Sequence, residues 1–254
     1  MKLNALKLAG LLLLPGSALL LGSPAASAAS GDVPNISGVW QWGRCMDGGP
    51  GISCMLLEED DARLTDRAKA LRDALDEAAA PKYDCAPMSI PHMWTDPYSH
   101  QIDQFDDRIV FTYGKDDVVR TAWLPNSNHK KPAVNEYLYF GDSTARYEGG
   151  ALIVETTHFA FDPQGLNADF RLASSTQKKV VERYTLEGND LVLEVTTTDP
   201  FFLNKPWVYK IKSARDPEEL ALPWACDQEG AREILKLMPP KYPNDPTVVR
   251  LPAD

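Results

Sequence analysis

Residues 136–159 read EYLYFGDSTARYEGGALIVETTHF, and the rest of the chain can be read outward from them. Two runs of alternating apolar and polar residues flank Gly149-Gly150, a pair that takes the positive φ angles of a two-residue hairpin turn. With that turn, Glu148 faces Ala151, Tyr147 faces Leu152, Ala145 faces Val154, Ser143 faces Thr156 and Gly141 faces His158. Side chains alternate across a strand, so Tyr147, Ala145, Ser143, Leu152, Val154, Thr156 and His158 share one face. Arg146, Thr144, Asp142 and Glu155 share the face turned to water. The apolar face becomes polar at one end. A strand lining a cavity with an apolar floor and a hydrogen-bonding mouth has this pattern, and so does a sandwich strand near its rim.

Further strands follow at regular spacing on both sides. In 100–113, two runs around Asp106-Asp107 set His100 opposite Tyr113, Ile102 opposite Phe111 and Gln104 opposite Ile109. Residues 118–124 form a strand whose Val119, Thr121 and Trp123 turn inward against Arg120. The Pro- and Asn-rich piece 125–135 and the stretch 160–168 read as loops. In KKVVERYTLEGNDLVLEVTTTDP, residues 178–200, a turn at Gly188-Asn189 sets Leu186 opposite Leu191, Tyr184 opposite Leu193 and Glu182 opposite Val195. On its reverse face Arg183 meets Glu194, an ion pair worth a few tenths of a kcal/mol to about 1. Residues 206–212 form a last strand with Trp207, Tyr209 and Ile211 together. Hairpin-linked strands with helices only at the two ends argue for a mainly β, antiparallel barrel or sandwich. The even strand lengths and the mixture of large apolar and isolated polar residues on the inner faces favour the barrel.

Residues 1–28 read as a signal peptide: Lys2 and Lys7 are basic, an apolar run follows, and Ala26-Ser27-Ala28 forms a small-x-small cleavage signal. The mature chain is then expected to be periplasmic or secreted, with no membrane insertion once the leader is removed. The formal charge of −10 falls to −12 without Lys2 and Lys7, which argues against nucleic acid or an anionic membrane as partner. All four cysteines lie in the exported part, where disulfides persist. Of three possible pairings, Cys45 with Cys54 and Cys85 with Cys226 are expected. Residues 29–99 then hold a first strand at 35–42, the disulfide loop and a helix at 65–80 capped by Thr65 and stopped by Pro81. Within them, 85–97 is an extended covering loop containing Pro87, Pro91 and Pro97. Residues 100–214 form the barrel, and 215–254 a Pro-rich tail with a short helix near 229–237.

Several of these residues occur together in a known pattern: the Leu64-Thr65 helix start, Cys85-x-Pro87, Gln104-x-x-Asp107-x-Ile109, Arg120, Gly141-Asp142-Ser143, Tyr147-Glu148-Gly149 with Leu152-Ile153-Val154, Val181-Glu182-Arg183, Asp199-Pro200, Pro206-Trp207 and Cys226. Over 64–235 the chain resembles a large family of exported bacterial hypothetical proteins with lipocalin-like β-barrels. Where that family usually has Trp-Glu-Gly-Asp at the hairpin, this chain has Tyr147-Glu148-Gly149-Gly150. The resemblance implies export and a lipocalin-like barrel, and it implies no reaction.

The chemistry therefore rests on side chains. His100, Tyr113, Ser143, Thr156, His158 and Glu182 project onto faces that are otherwise apolar. Glu182, among Val180, Tyr184, Leu193 and Val195, is costly to bury unless it is paired or put to use. It either acts as a general base with His158 or His100, or ties down an inner arginine or a loop. His92 and His129 lie in loops and carry no assigned role. His100, His158 and Glu182 are an acceptable zinc set, but no close-spaced ligand pair supports a metal, and none is expected. Ser143 is not in a G-x-S-x-G elbow, and neither a Rossmann glycine pattern nor a P-loop occurs, so no cofactor is expected. The sequence thus points to a binder of a small apolar or aromatic molecule, lined by Phe111, Tyr113, Trp123, Ser143, Thr156, Tyr184, Trp207 and Tyr209. The alternative is a cofactor-independent isomerase or lyase using Glu182 and a histidine.

Overall fold

The structure is a computed structural model of the 254-residue chain that describes residues 33–46, 49–50, 54, 62–116, 118–169, 171–218, 220 and 224–237. The expected leader, 1–28, lies outside the described residues. The strands are β1 (Gly38–Trp40), β2 (Arg44–Cys45), β3 (Gly49–Pro50), β4 (His100–Gln104), β5 (Arg108–Tyr113), β6 (Val119–Trp123), β7 (Asp142–Glu148), β8 (Ala151–Thr157), β9 (Asp162–Asn167), β10 (Leu172–Ser174), β11 (Lys179–Glu187), β12 (Asp190–Thr198), β13 (Trp207–Ser213) and β14 (Arg215–Asp216). The helices are α1 (Asp66–Ala74) and α2 (Gln228–Glu233). Twelve strands make one sheet in the order β14-β1-β4-β5-β6-β7-β8-β11-β12-β13-β2-β3, while β9 and β10 pair separately. The protein is mainly β with a large, antiparallel-rich sheet, and the ladder of pairings does not close on itself. Among the described residues no helix is long and apolar enough to cross a membrane.

The hairpins have the registers their turns dictate. Tyr147 pairs with Leu152, Ala145 with Val154 and Ser143 with Thr156 across β7 and β8, joined through Gly149 and Gly150 at φ +57° and +73°. His100 pairs with Tyr113 and Ile102 with Phe111; Glu182 pairs with Val195 and Tyr184 with Leu193. Arg183 does sit opposite Glu194, but the Glu194 carboxylate reaches Lys210 on the other neighbouring strand at 2.7 Å.

Elsewhere the structure departs from the sequence reading. The β6–β7 pairing is parallel, with Ala122 opposite Ser143, because the long 124–141 connection carries the chain across instead of turning it back. The inner face of β6 is the reverse of the expected one: Arg120 is 4% exposed and Val119 58% exposed, so Trp123 lies on the outer face. His158 is not part of β8, which ends at Thr157; it takes a left-handed backbone with φ +58°. The stretch expected to be a loop at 160–168 contains β9, held by β10. Helix α1 is capped by the Thr65 side chain but stops at Ala74, where Leu75 turns extended; Asp76 then caps a 3₁₀ turn over Glu77–Ala79. The first strand shrinks to Gly38–Trp40, and β1 to β3 and β14 join the sheet from outside 100–214.

The covering segment is more than an extended loop. It carries a 3₁₀ turn at His92–Thr95 that drops Trp94 onto the inner face of the sheet, where it is buried. Three anchors hold the segment. Lys178, fully enclosed, gives its ammonium hydrogens to Ser89 Oγ (3.2 Å), the Ile90 carbonyl (2.9 Å) and the Gly165 carbonyl (3.2 Å). Tyr209 Oη donates to the Pro91 carbonyl at 2.7 Å, and the Ala168 N–H donates to His92 Nδ1 at 2.9 Å. The cysteines pair as expected, Cys45 with Cys54 and Cys85 with Cys226. The second bridge, with an Arg232–Asp84 ion pair, fastens α2 to the start of this segment.

Candidate functional site

Four neighbouring strands, β6, β7, β8 and β11, place Arg120, Ser143, Thr156 and Glu182 in a row on the inner face. Glu182 is 0% exposed, and the alternation of β11 that buries Val180 and Tyr184 buries it with them. Its carboxylate is clasped by Arg120 through Nη1 to Oε2 at 2.7 Å and Nη2 to Oε1 at 2.9 Å. This two-pronged, charge-assisted geometry is what makes a buried pair tolerable. Oε1 also accepts the Trp94 indole N–H and the Tyr184 hydroxyl at 3.0 Å. Arg120 Nη1 approaches Ser143 Oγ and Thr156 Oγ1, both at 3.4 Å, and those hydroxyls bond each other at 2.8 Å. Burial works against the Arg120 charge, but Glu182, with the phenols of Tyr113 and Tyr184, outweighs it and raises the guanidinium pKa.

The indole of Trp94 closes the row. It meets His100 edge-on at 4.7 Å, Tyr113 at 5.1 Å, Tyr184 at 5.9 Å and Phe111 at 6.0 Å between ring centroids. Phe111 stacks on Tyr184 at 5.5 Å and lies under the Arg120 guanidinium at 4.5 Å. Four of the residues singled out by the sequence, Glu182, Tyr184, Tyr113 and His100, thus meet one buried aromatic ring, while Ser143 and Thr156 join the group through Arg120. Trp207 and Tyr209 are buried on β13, 5.0 Å apart. His158 is not brought into this group; its Nδ1 lies 3.0 Å from Thr157 Oγ1.

Three polar atoms in the group, His100 Nε2, Tyr113 Oη and Arg120 Nε, are buried with no hydrogen-bond partner among the described residues. Burial pushes the Tyr113 and Tyr184 hydroxyls up, the nearby Glu182 adding to it. It pushes His100 down from 6.5 to about 3, and His92 down to about 4 against the opposing pull of Asp169. Above pH 6.5 both histidines are neutral in the folded and the unfolded chain. Below it the unfolded chain takes up their protons while the folded chain does not, down to about 4 for His92 and about 3 for His100. Stability should therefore fall with pH from about 6.5 towards about 3, at up to about 1.4 kcal/mol per pH unit from His100. Urea midpoints measured from neutral to acid pH should show that slope, and His100→Leu should flatten it; an unchanged slope would remove His100 as its source.

A concavity lies on the outer face. A groove of about 340 Å³ runs beside β6, β7 and the loop at 125–135. Trp123 and His129 stack along it, 4.9 Å apart and within 7° of parallel, and His129 Nε2 lies 2.6 Å from Asp142 Oδ1. A hollow of about 20 Å³ beside Tyr113 is lined by Met88, Met93, Tyr98 and the Asp96–Lys115 pair among others.

Arg120, Trp94 and His129 carry little signal in the sequence. An arginine on a strand is read as facing water, Trp94 sits in a Pro-rich stretch without periodicity, and His129 lies in a polar loop. The one available hint is the unpaired charge of Glu182, which requires a buried cation.

No family model matches the chain, and no curated protein matches it. Among solved structures, it is similar to an asparagine-to-glutamine mutant of the fluorescent protein UnaG, at 14% identity and a TM-score of 0.33, covering 72% of this chain and 97% of that one. It is similar to wild-type UnaG at 13% identity and a TM-score of 0.32, covering 71% of this chain and 97% of that one.

Proposed function

We propose that the mature protein is an exported small-molecule binder, a lipocalin-like barrel whose interior takes an apolar, aromatic ligand in the place Trp94 fills. The barrel reading is supported by the junction of β13 and β14, which are separated by Ala214 alone. One stretch of chain thereby borders β12 and β2 in the last third of the ladder and β1 at its opposite end, and the Gln41 N–H bonds the Ala214 carbonyl at 2.9 Å. Residues 100–214 supply most of the wall, 29–99 the covering segment and 215–254 the tail that fastens it. Two disulfides suit a periplasmic or secreted location.

The carrying observation is the set of unpartnered atoms around Trp94. The indole satisfies Glu182 but leaves His100 Nε2, Tyr113 Oη and Arg120 Nε without partners among the described residues, and each such group costs about 1–3 kcal/mol when buried. A flat ring with one N–H or O–H for Glu182 and polar atoms for these three would hold the site better than the indole does. The hollow beside Tyr113, lined by Met88 and Met93 and by the Asp96–Lys115 pair, is the mouth through which it would come. Acid–base chemistry at Glu182 is not favoured, because Oε1 and Oε2 already accept from Trp94, Tyr184 and both Arg120 terminal nitrogens.

The test is competition between ligand and Trp94. Trp94→Ala should bind indole at least tenfold more tightly than the wild type, a difference of about 1.4 kcal/mol, as read by calorimetry and by a rise in melting temperature. Glu182→Gln in that background should weaken the binding. A folded Trp94→Ala protein without measurable affinity for indole would overturn the reading.

A further inference from the structure

The outer groove has no part in that interior site, and its chemistry differs. Its volume of about 340 Å³ falls within the range of small-molecule sites. Its aromatic wall is preorganised: the loop residue His129 lies flat against Trp123 and is fixed from the other side by Asp142, so ligand binding need not order that loop. Asp142 is itself 7% exposed and occupied by His129, which leaves no free carboxylate among the residues lining the groove. The remaining charged lining groups are Lys131 and Arg146. Lys131 has no ion pair among the described residues. Arg146 Nε touches Glu148 at 3.1 Å, but both side chains are more than half exposed, a weak pairing that leaves the terminal guanidinium nitrogens available. On a chain of net charge −10, a groove with only cationic free ends is a local reversal of sign. Thr144 and Ser127 add hydroxyls along the same wall.

We propose that this groove binds a small aromatic carboxylate. The ring lies against the Trp123–His129 stack, and the carboxylate is held by the Arg146 fork and the Lys131 ammonium, the geometry at which arginine recognises a planar anion. The site is independent of the interior.

Benzoate, with benzamide as its neutral counterpart, tests this by calorimetry and by shifts of the Trp123 and His129 ring resonances. Benzoate is expected to bind saturably, to weaken as salt rises, and to bind at least tenfold better than benzamide. Lys131→Ala combined with Arg146→Ala should lower benzoate affinity at least tenfold while benzamide is unaffected, and Trp123→Ala should weaken both. Lys131→Ala combined with Arg146→Ala should leave the indole affinity of Trp94→Ala unchanged, which separates this groove from the interior site. Absence of saturable benzoate binding, equal affinity for benzamide, or indifference to the Lys131 and Arg146 substitutions would each overturn the proposal.

Discussion

Glu182→Ala is expected to destabilise the protein by about 3–5 kcal/mol, because it leaves the Arg120 guanidinium charged and unpaired inside the sheet. Arg120 is 4% exposed and Glu182 0%, so water cannot take over the lost contact without opening the sheet. Arg120→Met should be damaging for the mirror reason. The double variant Arg120→Met with Glu182→Met should lose much less than the sum of the two, since no buried charge remains and the methionines fill similar volume. It will still fall short of the wild type, because Trp94 Nε1 and Tyr184 Oη lose their acceptor. Urea denaturation with unchanged m-values measures all three variants. A loss under about 1 kcal/mol for Glu182→Ala would mean that the pair is not what holds this face together.

Opening the Cys85–Cys226 bridge should be comparably severe. It spans 141 residues, so the loop-closure model assigns it roughly 5 kcal/mol; the Cys45–Cys54 bridge spans 9 and is assigned roughly 2.5 kcal/mol. The longer bridge also ties the stretch leading into α2 to the start of the segment that carries Trp94, so its loss loosens one end of that segment as well as the tail. Replacing Cys85 and Cys226 by serine should therefore lower the melting temperature clearly further than the same change at Cys45 and Cys54. Equal effects would show that neither chain entropy nor the anchoring of the segment accounts for the long bridge. The expected ordering holds only for equilibrium unfolding, so the comparison is made by reversible urea titration alongside the thermal scan.

The three hairpins β4–β5, β7–β8 and β11–β12 were legible because everything that sets them is local. A glycine pair in β7–β8, a Gly-Asn step in β11–β12 and the Asp106-Asp107 step in β4–β5 mark the turns, the period of two fixes which residues share a face, and the partner strand is the next one in the chain. That was enough to gather Glu182, Tyr184, Ser143, Thr156, Tyr113 and His100 onto common faces. Alternation does not say which of the two faces is buried when a strand carries large side chains on both. In β6 that choice fell to Arg120 over Val119 and Trp123, because its partner Glu182 waits 62 residues further on. The same kind of distance hides Trp94, which reaches Glu182 across 88 residues from a segment without periodicity. It also hides β9, whose Asp, Pro, Gln and Gly are unlike a strand and are held as one only by β10. The sequence by itself determined the hairpins, their registers and a carboxylate that had to be either paired or put to use. The identity of that cation, the ring that covers it and the groove on the outer face were decided by tertiary structure, because each depends on contacts between segments whose separation no local pattern encodes.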